Sequence, residues 1–428
     1  MVNIISQLKI DVKFAHIADT HLGYRQYGSE ERAIDFANAF KRAVEFSLSK
    51  NVDFILVAGD LFHKKSEMDP VTLAQAVLVL EKCDVPVIAI EGNHDSTYFR
   101  ERYTWIDYLS SQGHLINLKP HFDNGKPVVE EWDGKRGSYF EIGDARIYGL
   151  KYYGMLTEQI IQDFLMKVEK GENTIFMSHF GIEGYIDMYG CINSSHLYRF
   201  RDRIDYVALG HIHKMYVEND FIFNPGSLES CDLSEYSFKR GIFIAEIDDG
   251  VHYSHESSFY TPRTFRIVNV NFSDYSRIRD EFLKQKGNAG EIVHVRINAE
   301  KNIDREKVEK LAREIFDPLV LRIQVNYASG VLQAINVNLS DRIRVERNVI
   351  SSILKGMGYE DMSEEVLRLR EIFSAGNTED ADALISDILS EKMRDALKEV
   401  KKESQVEDDG GRGESQEDEE EWRWWEAK

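Results

Sequence analysis

At 428 residues, 43% of them apolar, the chain is long enough for two or three domains, and no run approaches the roughly 20 apolar residues of a membrane span. The net charge of −21 argues against a uniformly basic nucleic-acid binder, but residues 359–428 alone hold 23 acidic against 10 basic side chains, leaving −8 for the first 358. Residues 261–330 reverse the sign, with 13 basic against 10 acidic, so a DNA substrate is not excluded. Cys83, Cys191 and Cys231 form no CxxC pair, which reads as a reducing compartment, cytoplasmic or nucleoid-associated, without a thiolate metal site. The start, MVNIISQLKIDVK, lacks the apolar core of a signal peptide; residues 1–11 read as a short tail or as translation from an upstream start codon.

From residue 12 to 260, short Val/Ile/Phe-rich runs alternate with amphipathic stretches. Val12–Ala18, Phe54–Ala58, Val85–Ile90, Arg146–Lys151, Thr174–Ser178 and Tyr206–Leu209 predict strands; residues 30–49, 69–82, 98–111 and 156–169 predict helices. Further strands are predicted over Phe221–Phe223, Gly241–Ile247 and His252–Phe259. This order specifies an α/β domain whose loops carry the chemistry.

Pro262 opens a second unit: strand Phe265–Phe272, helix Tyr275–Gln285, strand Ile292–Ile297, helix Arg305–Ile315, strand Val320–Tyr327. The expected organisation is a main domain to residue 260, a basic α+β cap over 261–330, a connector over 331–358 and two short amphipathic helices over 359–400. In the first helix, Asp361 and Glu364 stand at capping-box spacing; in the second, Ala381, Leu384, Ile385, Ile388 and Leu389 form an apolar stripe. Two short helices make no core alone and read as a docking element for a partner. Residues 401–428 are an acidic tail of disordered composition that ends in Trp422, Trp424 and Trp425.

Five segments end predicted strands with metal-competent side chains: Asp19-Thr20-His21, Gly59-Asp60, Gly92-Asn93-His94-Asp95, Ser178-His179 and Gly210-His211-Ile212-His213. A single Asp after a strand is ordinarily a turn residue or a helix cap. Five such segments in one α/β domain, all at C-terminal strand ends where sites in such folds gather, point to one site. Nitrogen and oxygen donors without thiolate suit divalent ions of the Mn, Fe or Zn kind. Two such ions against Asp19, Asp60 and a hydroxide leave a charge of about +1, which suits a phosphoryl anion. Asp60, a lone carboxylate after a glycine, is the natural bridging ligand. His16 lies inside the first strand and reads as a satisfied core histidine, and Asp95 as a loop-structuring residue.

The segments HIADTHLGY (16–24), GDLFH (59–63), EGNHD (91–95), ALGHIHK (208–214) and NPGSLE (224–229) resemble the calcineurin-like metallophosphoesterase superfamily. Within it, they are similar to the meiotic-recombination-eleven, or SbcD-like, nucleases of DNA double-strand-break repair. The resemblance implies two mixed β-sheets flanked by helices, a small α+β cap and a C-terminal helical partner-binding segment. It implies two Mn2+ per subunit, with Mg, Fe or Zn also possible. Asp19, His21, Asp60 and His213 hold the first ion; Asp60, Asn93, His179 and His211 hold the second. His94 is then left to protonate the leaving oxygen or stabilise the transition state, with His63 a second active-site histidine that catalyses or orients the phosphate. Tyr24, Arg25 and Tyr27 are candidates for a nucleic-acid backbone.

The same resemblance implies 3′–5′ exonuclease action on duplex ends and endonuclease action on single-stranded or hairpin DNA. An SMC-like coiled-coil ABC ATPase partner would be engaged through residues 361–390. A homodimer would form through helices 69–82 and 98–111, using Leu73, Val77, Leu80, Tyr103, Ile106 and Leu109. The residues by themselves also allow a phosphomonoesterase or another phosphodiesterase of this superfamily, or a non-catalytic end-binding scaffold.

Overall fold

The computed structural model describes residues 12–96, 103–185, 191–272, 274–299 and 302–327, together with Glu365, Val366, Arg368 and Leu369. Nearly all of the docking helices expected over 359–400 therefore lie outside the described residues, as does the stretch 97–102.

Two six-stranded mixed sheets form the main domain. In the first, Val12–Ile17, Phe54–Ala58, Val87–Ile90 and Ile116–Asn117 run parallel, and Ile242–Ile247 and Val251–Glu256 extend it antiparallel. In the second, Ala145–Leu150, Asn173–His179, Tyr206–Gly210 and Ile222–Asn224 are parallel, flanked by antiparallel Tyr139–Ile142 and Tyr216–Glu218.

The strands alternate their apolar residues between two interiors. Phe14, Phe54, Leu56, Ile88 and Ile90 meet Ile147, Ile175, Met177, Tyr206 and Phe223 in the seam between the sheets. Ala15, Ile17, Ile55 and Val57 turn to the other face, under Phe40, Ala43 and Val44 of helix Glu30–Ser49. Helix Thr157–Leu165 covers the second sheet's outer face through Ile161, Phe164 and Leu165. A four-layer sandwich of helices, two sheets and helices results. Central strands buried on both faces explain the continuous apolar runs in the sequence.

His16 crosses the seam. Its Nε2–H donates to the Leu209 carbonyl (2.9 Å), and its Nδ1 accepts from the Tyr206 hydroxyl (3.0 Å). Both ring nitrogens are satisfied in the neutral form, and burial lowers the imidazole pKa to about 3.

The cap, from Phe265, is a three-stranded parallel sheet, Phe265–Phe272, Ile292–Ala299 and Val320–Tyr327, carrying helices Tyr275–Lys284 and Arg305–Phe316 over Val268, Val270, Val295 and Ile297. A buried ionic junction fixes it to the main domain. Arg32 donates to Asp35 (2.7 Å) and Glu229 (2.9 Å); Arg263 donates to Asp35 (2.6 Å), and the Tyr260 hydroxyl to Glu229 (2.7 Å).

Leu80, Ile106 and Leu109, expected on the dimer-forming helices, lie in the core of the single chain. Helix Trp105–Ser111 is held there by the capping box of Thr104 and Asp107. Among the described residues, the large apolar side chains exposed in this region are Val71, Leu78, Tyr103 and Tyr108.

Candidate metal centre

All seven expected donors come from C-terminal strand ends, and the fold brings them to one place. The first sheet supplies Asp19 and His21 after Val12–Ile17, Asp60 after Phe54–Ala58 and Asn93 after Val87–Ile90. The second supplies His179 at the end of its strand, and His211 and His213 after Tyr206–Gly210. Asp19, Asp60, His21 and His179 form a buried floor, while Asn93, His63, His94, His211 and His213 line a partly exposed rim.

Backbone geometry follows from this convergence. Asp19, His21, Asp60 and His211 all have positive φ, between 47° and 83°, a conformation that costs non-glycine residues about 1–3 kcal/mol each. Gly92 permits the close packing: a Cβ there would stand 2.1 Å from Asp60 Oδ1.

The donors fall into two groups that share Asp60. In one, His21 and His213 point Nε2 atoms at each other 3.0 Å apart, with Asp60 Oδ2 4.0 Å from His21 Nε2. In the other, Asn93 Oδ1 lies 3.1 Å from His179 Nε2 and 2.9 Å from His211 Nδ1, with Asp60 Oδ2 3.2 Å from His179 Nε2. Outer hydrogen bonds fix the tautomers. His179 Nδ1–H donates to the Ala58 carbonyl (2.8 Å), and His213 Nδ1 is engaged by Glu235 (2.7 Å), so each presents Nε2 inward. Asp19 accepts the His211 main-chain N–H at 3.0 and 3.1 Å.

Among the described residues, neither Asp19 nor Asp60 pairs with a lysine or arginine; the ion pairs of both are to histidines. Burial pushes the Asp19 carboxyl up against the pull of His179 and His213. Burial would raise Asp60 as well, but His179, His21 and His94 outweigh it and hold that carboxyl well below its usual range. Burial likewise opposes charge on His179, yet Asp60 and Asp19 lift it to about 9. Burial and the charge of His179 press His211 down to about 3. Two buried carboxylates balanced only by histidine protons, with imidazole lone pairs facing one another, are a donor set that fits divalent cations.

His94 hangs on this frame. Its main-chain N–H donates to Asp60 Oδ1 (2.8 Å), and its Nδ1–H donates to the His63 carbonyl. His63 stacks under Tyr24, with ring centroids 3.6 Å apart, and its Nδ1 lies 3.4 Å from His21 Nδ1. Arg25 is held between Glu30 (2.7 Å) and Asp69 (2.6 Å). Tyr27, at φ 60°, touches the cap, with its hydroxyl 3.4 Å from His294 Nε2 and the Arg322 guanidinium 4.7 Å over its ring.

Asp95 stays outside the donor set: its carboxylate accepts the main-chain N–H groups of Phe62 (2.9 Å), Leu61 (3.1 Å) and Gly92 (3.1 Å). Three participants escaped sequence reasoning. Glu235 orients His213. Glu91, fully buried behind Asn93, accepts from Lys119 (2.8 Å) and Lys151 (3.1 Å). Cys231 carries its sulfur to within 4.8 Å of ring nitrogens of His21 and His213. None of the three carried a signal in the sequence, because their partners come from other strands and loops.

Residues 12–215 match the family model of the calcineurin-like phosphoesterases. The chain is 34% identical over 239 residues to the DNA double-strand break repair protein Mre11 of Archaeoglobus fulgidus, an alignment covering 53% of this chain and 52% of that protein. It is 23% identical to the Mre11 of Saccharolobus solfataricus over 88% of this chain and 98% of that one. With the Mre11 of Methanocaldococcus jannaschii the identity is 27%, over 80% and 88%. Motif order, two-sheet architecture and alignments point the same way: residues 12–215 are similar to the calcineurin-like phosphoesterases, and longer stretches of the chain are similar to the Mre11 proteins.

Proposed function

We propose that the chain is a two-metal DNA phosphodiesterase, a Mn-dependent nuclease that processes DNA ends in double-strand-break repair. The observation that carries this reading is the convergence of His21, Asp60, Asn93, His179, His211 and His213 into two donor groups sharing Asp60, with Asp19 Oδ1 3.9 Å from His179 Nε2. Bound there, a pair of divalent ions supplies a hydroxide nucleophile and charge neutralisation for an in-line displacement at phosphorus.

The protein's own residues do the rest. Because His94 Nδ1–H is committed to the His63 carbonyl, Nε2 is the atom that carries the working proton. A protonated Nε2 donates to the leaving oxygen, and the Asp60 contact to the His94 main chain fixes that ring relative to the donors. Tyr24, stacked on His63, keeps the second histidine in place to orient the phosphate.

The cap supports a DNA substrate over a phosphomonoester. The sheet face away from its helices is polar: Asn271, Asn298 and Asn326 stand in register, with amide hydrogen bonds of 3.1 and 3.4 Å between neighbours. Arg296, Gln324 and Arg322 share that exposed face, and Arg322 packs over Tyr27, three residues beyond the Tyr24 that stacks on His63. Amides and guanidinium groups in a row suit a sugar–phosphate backbone. We assign to the chain 3′–5′ exonuclease action on duplex ends and endonuclease action on single strands and hairpins. Its partner is the coiled-coil ABC ATPase of the repair complex, bound through residues 361–390. The homodimer face would use Val71, Leu78, Tyr103 and Tyr108, which are exposed.

The test is digestion of end-labelled duplex DNA with Mn2+. Wild type shortens the duplex progressively, and His94→Ala loses about 10²–10⁴-fold in rate while keeping its metal. Intact DNA alongside turnover of p-nitrophenyl phosphate would replace the nuclease with a phosphomonoesterase.

A further inference from the structure

Cys231 sits on the loop after Ile222–Asn224, and two contacts hold it at the metal centre. Its main-chain N–H donates to Glu235 Oε2 (2.9 Å), the carboxylate whose other oxygen engages His213 Nδ1 (2.7 Å). Its carbonyl accepts the Tyr24 hydroxyl (3.4 Å), on the ring that stacks over His63. Arg240 fastens the same carboxylate (3.2 Å), so one charged group aims both the imidazole and the thiol-bearing loop.

The sulfur lies within 4.8 Å of a ring nitrogen of both His21 and His213, whose Nε2 atoms are themselves 3.0 Å apart. Two ligands of one tetrahedral Zn-type ion, with metal–nitrogen near 2.0 Å and metal–sulfur near 2.3 Å, stand about 3.3–3.5 Å apart. The two imidazoles already stand near the spacing of ligands to one ion, and a rotation about the Cys231 Cα–Cβ bond would bring the sulfur in to join them.

We infer that Cys231 is a sulfur donor to the cation held by His21 and His213, making one of the two metal positions softer than an all-nitrogen-and-oxygen site. Coordination releases the thiol proton to solvent and forms a metal–thiolate bond, with no change of oxidation state. A thiolate favours Zn, Fe(II) and Co(II) over Mn and Mg. The two positions are consequently unlike: one, with Asn93, His179 and His211, is of nitrogen and oxygen, while the other carries sulfur. This inference rests on the two-metal reading above.

Co(II) titration of the full chain, followed by absorption and by bound-metal analysis, tests it. The expected result is a near-ultraviolet sulfur-to-cobalt charge-transfer band in wild type and in Cys83→Ser. Cys231→Ser and Cys231→Ala lose the band but still bind cobalt, and their preference for Zn over Mn falls by about tenfold or more. Stoichiometric cobalt in wild type without the sulfur band overturns the thiol assignment and leaves the two-metal reading standing. A band that survives in both Cys231 variants overturns it equally. Failure of wild type to bind cobalt at all removes the two-metal reading and this inference with it.

Discussion

The carboxylate of Asp95 organises the turn that carries Asn93 and His94 by accepting three main-chain N–H groups. Replacing it by alanine strands buried donors, each worth about 1–3 kcal/mol. Asp95→Ala is expected to lower urea-unfolding stability by roughly 3 kcal/mol, and a loss under about 0.5 kcal/mol would show that water or another group takes over. At this scale the sequence was most informative where residue type and strand end coincided, as at Asp60 or His179. The structural duties of Asp95 and His16 were also legible, since an Asp in a tight turn and a His inside an apolar run have few alternatives. Glu91, Glu235 and Cys231 were not legible, because their partners are brought by other strands and loops. A lone glutamate ahead of a Gly-Asn-His turn reads like any solvated charge.

Among the elements, the long central strands and the first helix match expectation closely: Phe54–Ala58 and Glu30–Ser49 fall where the apolar periodicity places them. Short pieces such as Ile116–Asn117, Tyr139–Ile142 and Tyr216–Glu218 were missed, since two to four residues give too little alternation to register. Two elements invite direct tests. The strand Val87–Ile90 runs into Glu91, whose carboxylate holds Lys119, after Ile116–Asn117 of the first sheet, and Lys151, at the end of a second-sheet strand. Glu91→Ala leaves the partly buried Lys151 ammonium without its carboxylate, while Lys119 keeps Asp107 (2.5 Å), and should cost about 3 kcal/mol by chemical denaturation. Lys151→Met in that background should recover part of the loss; an unaltered Glu91→Ala protein would sink the clamp.

The strand Val12–Ile17 carries His16, neutral when folded with a pKa of about 3 and near 6.5 when unfolded. The unfolded chain thus binds the extra proton first, so the contribution of His16 is full above about pH 6.5 and erodes as pH falls toward 3. Urea midpoints from pH 8 to 5 should decline less in His16→Gln than in wild type; parallel curves would assign the acid sensitivity elsewhere.

At the scale of the molecule, the seven candidate donors are shared between the two sheets: Asp19, His21, Asp60 and Asn93 on one, His179, His211 and His213 on the other. Each donor group draws on both, His21 with His213, and Asn93 with His179 and His211. Cations lodged there act as rivets through the laminate. Folding and loading are then one equilibrium, because the separated layers have no site to offer. The melting temperature should climb with the logarithm of free Mn2+, by the equivalent of about 2.7 kcal/mol at a hundredfold excess over Kd, and collapse on chelation. Asp60→Ala, which removes the donor common to both groups, should flatten that climb. A melting point indifferent to metal would mean that the layers hold together on their apolar seam alone. If the climb is found, the chain's working lifetime in a cell is set by its metal supply as much as by its own packing.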